Sequence, residues 1–497
     1  MKKIFTTALL ILAFFSTTTI FSQSSQDDFE RFRQQALQEF DNFRTQQIQE
    51  FEDFRARTNA EFAEFMSRSW QTFQVEQGIP APPPFTPIEI PKVDPKNIPV
   101  PERQPIEKVI PPPAPQPRPQ PVEPIEVPER VAHYFAFYFF NTECRVRLDN
   151  SMRFRLNDAS EQSVAQAWTT LSGSQFNALI ADCLALRDRL NLSDWGYKLM
   201  LRTMTEQFFG AESNEAVLMQ MFILTQSGYK VRIGRAGNRL VLLVPFRENL
   251  YGVSFFNLGG QRFYIMSDVP QRYGVAVFDK AFPREQFFRW HTSLPNLAVD
   301  LTPPRTFSTA SAPAFFFNPE RSSINVTIQT NRNLLDYLYT FPPARWDRYV
   351  HAGLSETVQR VLYPALLEAI AGKNNVEAVQ ILLDFNHHAF AYMTNAEQFG
   401  YEKTFFADEN FFFAANDCKA RAVLFSILVR DLLGLEVVLL HYPNHLSAAV
   451  HFPEYVQGNY FVIDGRRFVE ADPTFINASV GMTMPMFRGV SANIIRL

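Results

Sequence analysis

The sequence predicts an α+β protein over its C-terminal two thirds, preceded by a long helix and a proline-rich segment. Three observations carry this. Apolar residues make up 46% of the 497 and charged residues 20%, which is globular composition with material for more than one domain. From about residue 131, helix-period segments alternate with short strand-like runs bounded by Gly, Pro, Asn and Asp. The unusual residues are segregated: 19 of the 34 prolines fall between Pro80 and Pro128, and a Phe repeat lies before them.

Residues 1–22 read as a secretory signal peptide, with Met1-Lys2-Lys3 as a basic start and a mostly apolar stretch from Ile4 to Phe15. Export to a periplasmic, cell-surface or secreted location is the expectation. Residues 27–77 read as one amphipathic helix. Phe29, Phe40, Phe51, Phe62 and Phe73 are 11 apart, as are Phe32, Phe43, Phe54 and Phe65, and Leu37, Ile48, Asn59 and Trp70. Eleven residues make three turns at about 3.67 per turn, so these positions share one side of a helix. Such a stripe demands cover. The adopted reading is homo-oligomerisation through residues 27–73. Docking onto the globular part and peripheral membrane contact are the alternatives, the latter opposed by acids that outnumber the arginines. Residues 78–129, with Pro82-Pro83-Pro84 and Pro111-Pro112-Pro113, predict an extended, disordered linker acting as a spacer.

The globular part divides into a helical–β domain at 130–310 and a second domain at 320–497. In the first, Tyr134 to Phe140 reads as a buried strand, followed by helices near 174–190, 193–209 and 214–227. Strands then fit 229–234, 239–246, 252–257 and 261–266. In the second, a strand at 324–330 precedes helices near 332–340, 354–371 and 376–393. The clearest helix of the chain runs from Cys418 to Leu433, ended by Gly434. Strands follow at 437–440, 446–452, 460–463 and 467–471, with Asp464-Gly465 as a hairpin turn.

Chemistry concentrates at the start of that helix. Asp417 is a natural N-cap, which puts Cys418 in the first turn, where a helix dipole favours a thiolate. A dependable nucleophile also needs a base and a group that orients it. His445 opens a strand at the end of the hairpin that returns toward the helix start, with His441 as the nearer rival and His451 a further one. Asp472-Pro473-Thr474 closes another strand. Asp-Cys at a helix start, His opening a strand and Asp-Pro-Thr closing one resemble the transglutaminase-like superfamily, over about residues 354–490. The resemblance implies a papain-like fold with a Cys418–His445–Asp472 triad, the Cys418 N–H in an oxyanion hole and Gln398 as an accessory donor. Two features depart from the family pattern. Asn416 stands where Gly is usual. The 27 residues from His445 to Asp472 exceed a short hairpin, so residues 453–464 must form an excursion.

Shifting the chain by 206 lays 212–246 on 418–452 without a gap, and 260–263 falls on 465–468 with a one-residue slip. In this register Glu212 replaces Cys418 and Arg239 replaces His445. The first half then reads as a degenerate copy, a chance likeness of two helix–strand–strand patterns being the alternative. Cys144 and Cys183 are either a disulfide or two core thiols.

The formal net charge of −4, without a basic block, excludes a nucleic-acid-binding face. No metal-ligand spacing and no glycine-rich phosphate loop is present, so no cofactor is expected. The expectation is an exported thiol acyl-transfer enzyme acting on a protein or peptide amide. The alternative is a non-catalytic surface or periplasmic adaptor that keeps the fold for binding.

Overall fold

The computed structural model describes residues 23–80, 85–91, 93–94, 97–112, 114, 116–121, 125, 133–266, 275–290, 293–310 and 323–497. The signal peptide expected at 1–22 lies outside these. Among the described residues no helix is long and apolar enough to cross a membrane.

Helix α1, Gln23–Met66, carries the Phe repeat, and its two ends differ. Asn59, Phe62, Ala63 and Met66 are buried. The Phe62 ring lies 4.9 Å from Trp168 and meets Phe278 and Phe282 edge-on at 5.1 and 5.3 Å. Asn59, the polar member of the stripe, has a partner there: its Oδ1 accepts from Gln226 Nε2 at 3.0 Å and from Trp168 Nε1 at 3.3 Å. Phe32, Leu37, Phe40 and Phe43 are more than half exposed. The expected helix through residue 77 is corrected: it stops at Met66. Ser67 Oγ and Trp70 Nε1 donate to the last-turn carbonyls of Glu64 and Met66, and Gln71–Phe73 forms strand β1 on a sheet edge. An unpaired edge supplies hydrogen bonds along a whole strand, and it overrides the helical period here.

The proline-rich segment is extended, but it is not a detached linker. Ile106–Ile110, the five residues between Pro105 and Pro111, keep their N–H groups and form β2 in a sheet of the second half. Gln104 N donates to Tyr460 O at 2.8 Å, and Tyr460 N donates to Glu102 O at 2.9 Å. Proline removes donors and keeps acceptors, and arginines of the first half use them. Arg187 Nη1 reaches Pro119 O at 2.9 Å and Arg289 Nη1 reaches Gln116 O at 3.0 Å.

The hairpin of β3, Tyr134–Phe139, and β4, Thr142–Arg147, is half-buried rather than fully buried, with Phe137 and Phe139 inside and Tyr134 and Tyr138 outside. Helices α2 (Glu161–Leu171), α3 (Asn177–Arg189), α4 (Asp194–Phe209) and α5 (Asn214–Gln226) follow. Strands β5 (Arg232–Ala236), β6 (Arg239–Pro245), β7 (Phe255–Leu258), β8 (Gln261–Ile265) and β9 (Val275–Phe278) complete the first sheet. Strand β10, Arg305–Ser308, pairs with β11, Asn325–Ile328, so the expected boundary between 310 and 320 is bridged by a ribbon. Next come α6 (Arg332–Tyr339), α7 (Trp346–Ala352), α8 (Glu356–Ile370), α9 (Asn375–His388), the short β12 (Ala391–Tyr392), α10 (Asn395–Phe399) and β13 (Ala415–Asn416). Helix α11, Cys418–Leu433, leads into β14 (Val437–Tyr442), β15 (His445–His451), β16 (Tyr460–Ile463), β17 (Arg466–Glu470) and β18 (Ala492–Arg496).

The two halves repeat one topology. The sheet orders are β1-β9-β5-β6-β8-β7 and, in the same sense, β2-β18-β14-β15-β17-β16. The pairing registers coincide as well. Ala236 faces Arg239 as Tyr442 faces His445, and Val244 faces Tyr264 as Val450 faces Val469. These are the shifts of 206 and 205 seen in the sequence. Gly259-Gly260 and Asp464-Gly465 close equivalent hairpins with both φ angles positive, as a type I′ turn requires. The halves part at the outermost strand, since β1 runs antiparallel to β9 and β2 parallel to β18. One apolar cluster extends through both halves, from Phe62 to Ile495.

This asymmetry of α1 sets a stability test. Phe62→Ala lowers unfolding free energy by about 3–5 kcal/mol. Phe40 is 61% exposed, and Phe40→Ala changes that free energy by less than about 0.5 kcal/mol. Urea midpoints of the two variants check this, and an equal loss at Phe40 means that the exposed half of the stripe is covered in solution.

Candidate active site

Cys418 is the first residue of α11. Asp417 caps it, with extended φ of −104° and Oδ1 accepting from Ala420 N at 3.0 Å. The Cys418 N–H belongs to the first turn and has no acceptor within the helix. Asp417 Oδ2 takes Asn395 Nδ2 at 3.1 Å and Lys419 Nζ at 2.5 Å, and Lys419 Nζ also reaches Glu402 Oε1 at 2.7 Å. Burial works against the Lys419 charge, but Asp417, the Cys418 sulfur and Glu402 outweigh it and raise its pKa. Asn416, the departure from glycine, is buried and engaged: its Nδ2 donates to Asn410 Oδ1 and its Oδ1 accepts from Arg421 Nε, both at 2.8 Å.

His445 enters from the two-residue turn Pro443-Asn444, where Asn444 takes φ of +58° and Tyr442 pairs with His445. Strand β17 pairs directly with β15, and β16 lies outside it on the sheet edge. The 453–464 excursion therefore adds an edge strand and leaves β17 to deliver Asp472 beside His445. His445 Nε2 meets Asp472 Oδ2 at 2.7 Å, and neither side chain is exposed at all. Burial opposes charge on His445, but Asp472 and then the nearby Cys418 outweigh it, and its pKa is pushed up to about 10; among the described residues its buried Nδ1 has no hydrogen-bond partner. The Phe487 ring stacks on the imidazole at 5.2 Å and 6°. Asp472 is held from two sides, by Thr474 N on Oδ1 at 2.9 Å and by His387 Nε2 on its carbonyl oxygen at 2.9 Å. Burial pushes His387 down to about 3, so it is neutral and donates from Nε2.

A second buried carboxyl stands two residues from Asp472. Glu470 is met by Tyr442 OH at 3.1 Å, Ser447 Oγ at 3.2 Å and Thr483 Oγ1. Burial, then the Asp472 charge, push it up to about 8. His387, Glu470 and Phe487 were not legible as site residues, because each reaches the triad only across a tertiary contact.

Cys418, itself 4% exposed, opens into a narrow cleft. It is lined by Phe85–Ile88 of the proline-rich segment, by Tyr392, Thr394, Asn395 and Ala396, and by Glu402, Lys419 and Asn444. Burial and then Cys418 and Asp417 raise the Tyr392 pKa. Gln398, expected as an accessory donor, is not among the residues that line the cleft. Its Oε1 accepts from Ala415 N at 3.1 Å, so the side chain braces the strand before Asn416. His441 packs between Phe85 and Trp346, and His451 Nδ1 bonds Arg467 O, so neither rival replaces His445.

In the first half the equivalent pair is Arg239 Nη2 with Glu212 Oε2 at 2.6 Å, both about half exposed. The position matching Asp472 lies outside the described residues. Cys144 and Cys183 are free thiols. Among the described residues no group of three or more His, Cys, Asp or Glu side chains is placed to hold a metal ion. No protein-family model, curated protein or solved structure matches this chain.

The raised groups fix the sign of a pH effect. Between the ordinary Glu value near 4.5 and about 8 the folded state keeps the Glu470 proton that the unfolded chain has lost. Between the ordinary His value near 6.5 and about 10 the same holds for His445. Both contributions are complete at low pH and are lost as pH rises. Urea midpoints of the wild type should therefore fall more steeply, or rise less, between pH 5 and 8 than those of Glu470→Gln, since the opposing rise from neutral His387, complete near pH 6.5, is common to both. A profile unchanged in Glu470→Gln refutes the assignment of that carboxyl.

Proposed function

We propose that this chain is a thiol acyl-transfer enzyme of transglutaminase-like type that acts on protein or peptide amides. The single observation that carries the reading is the fully buried His445–Asp472 pair beside a cysteine at a capped helix start. In the proposed cycle Cys418 Sγ attacks the amide carbon, and the C–N bond breaks as His445 gives its proton to the leaving amine. Asp472 orients the imidazole, and the Cys418 N–H stabilises the oxyanion. Water or an amine, deprotonated by His445, then resolves the thioester. The basic, apolar N-terminus supports export, and the uncovered Phe32, Leu37, Phe40 and Phe43 support self-association through α1. An adaptor that keeps the fold for binding is the second reading, favoured by the closeness of the cleft.

Thiol and acyl chemistry test the first reading. Burial raises the Cys144 thiol to about 11 and raises Cys183 well above its ordinary value, so Cys418 labels first with limiting iodoacetamide at pH 7. With p-nitrophenyl acetate an acetyl group accumulates on Cys418. His445→Ala slows that acylation by about 10²–10⁴-fold. Peptide mass spectrometry reads both, and an acylation rate indifferent to His445 leaves the adaptor reading.

A further inference from the structure

The wall of the Cys418 cleft made by the chain's own proline-rich segment is the observation left over. Phe85 is wedged among three side chains of the second half. Its ring stacks on His441 at 5.8 Å and 9°, tilts against Trp346 at 5.8 Å, and carries Lys419 Nζ at 4.3 Å from its centroid. Lys419 is the residue after Cys418. Thr86 N donates to Asn444 Oδ1 at 3.1 Å, and Asn444 is the residue before His445. Ile88 and Ile90 pack on the apolar cluster that contains Phe487, the ring stacked on His445. An extended backbone thus lies between the two residues that deliver nucleophile and base. It is bound by one aromatic pocket, one backbone hydrogen bond and the aliphatic contacts of two isoleucines. That is how a groove holds a peptide: main-chain bonds give affinity and pockets give specificity. Proline suits it, since the polyproline conformation is extended beforehand and loses little freedom on binding.

We propose that Phe85–Ile88 is a built-in occupant of the enzyme's peptide-binding cleft. The pocket of Trp346, His441 and Lys419 takes an aromatic side chain of an extended, proline-containing peptide, and in the resting fold the chain's own Phe85 fills it. This rests on the acyl-transfer reading and names its ligand class: a polypeptide segment with an aromatic residue beside a Thr-Pro or similar extended pair. The occupant is a span between β1 and β2 that non-covalent contacts hold in the cleft, so a competing peptide displaces it while both strands stay paired.

The test uses the full chain and the rate of Cys418 alkylation by iodoacetamide. Phe85→Ala empties the aromatic pocket, and Thr86→Pro deletes the N–H that Asn444 accepts. Each should speed alkylation, by roughly tenfold for the loss of one aromatic contact. A synthetic peptide with the sequence of residues 84–91, added to the Phe85→Ala protein, should restore slow alkylation, and the same peptide with Phe replaced by Ala should not. Rates unchanged in both variants overturn the proposal, and so does acceleration that the peptide fails to reverse. The same set is run in a His445→Ala background. There the strap variants still accelerate a slower reaction if access is what they control. If the strap effects persist while His445→Ala leaves the rate untouched, the acyl-transfer reading fails and the peptide cleft stands. If His445 matters and the strap does not, the reverse holds.

Discussion

Two ionisable side chains held 2.7 Å apart with no exposed surface are the constraint around which the second half is arranged. Removing a carboxylate and an imidazolium from water costs several kcal/mol for each ion, and their mutual attraction offsets this only with good geometry and further hydrogen bonds. The neighbours of His445 and Asp472 supply both. Thr474 N and His387 hold the aspartate, and Phe487 fixes the ring plane. Glu470 fits the same logic. A second ionised carboxylate two residues from Asp472 would repel it, and Glu470 keeps its proton instead.

The first half is an internal control on what the fold itself requires. It builds the same helix and five strands in the same order and register without a buried ion pair at the position of His445, its own buried pairs, Arg232 with Glu285 and Arg289 with Asp194, lying elsewhere. At the positions matching Cys418 and His445 it has Glu212 and Arg239, bridged but half exposed, an arrangement worth little in water. In β6 six of seven residues are buried and Arg239 is the exposed one, while the buried charge of this sheet is Arg232 of β5, paired with Asp279 and Glu285. The buried pair in the second half is therefore not needed to make this topology. Groups that cost stability and are not needed for the fold are the ones whose retention points to chemistry.

What the sequence revealed and what it hid divide by the range of the interaction. The Asp417 cap, the Gly434 terminus with φ of +65°, the Asp464-Gly465 turn and the bounds of α11 are local, and all are where the residues put them. The internal repeat was legible too, because register is carried by turn lengths and strand parity that survive when side chains diverge. The role of residues 453–464 followed from the need to place Asp472. Hidden were β1 and β2, whose residues belong by composition to a helix and a linker and become strands only because each sheet offers an edge. The bond from Ala415 N to Gln398 Oε1 was hidden for the same reason. Nothing local says that the Gln398 amide is needed by Ala415 N.

The N-terminal segment ties these pieces together. After α1 it adds β1 to the first sheet, and Ile79 O accepts from Gly252 N at 2.8 Å. Gly78 passes there so closely that a Cβ would lie 2.7 Å from the Gly252 and Val253 backbone, which only glycine allows. The chain then runs past Cys418, adds β2 to the second sheet and returns to Arg289 and Arg187 of the first half. Residues 85–91 are thus a short span tethered at both ends. A tethered segment meets its groove at an effective concentration on the order of millimolar, whatever the concentration of the protein. Weak contacts then suffice to keep the cleft filled, which fits an occupant held by one ring, one hydrogen bond and two isoleucines. A free peptide must bind well enough to overcome that local concentration. The edge pairing that hides β1 and β2 from the sequence is what sets the threshold for opening the site.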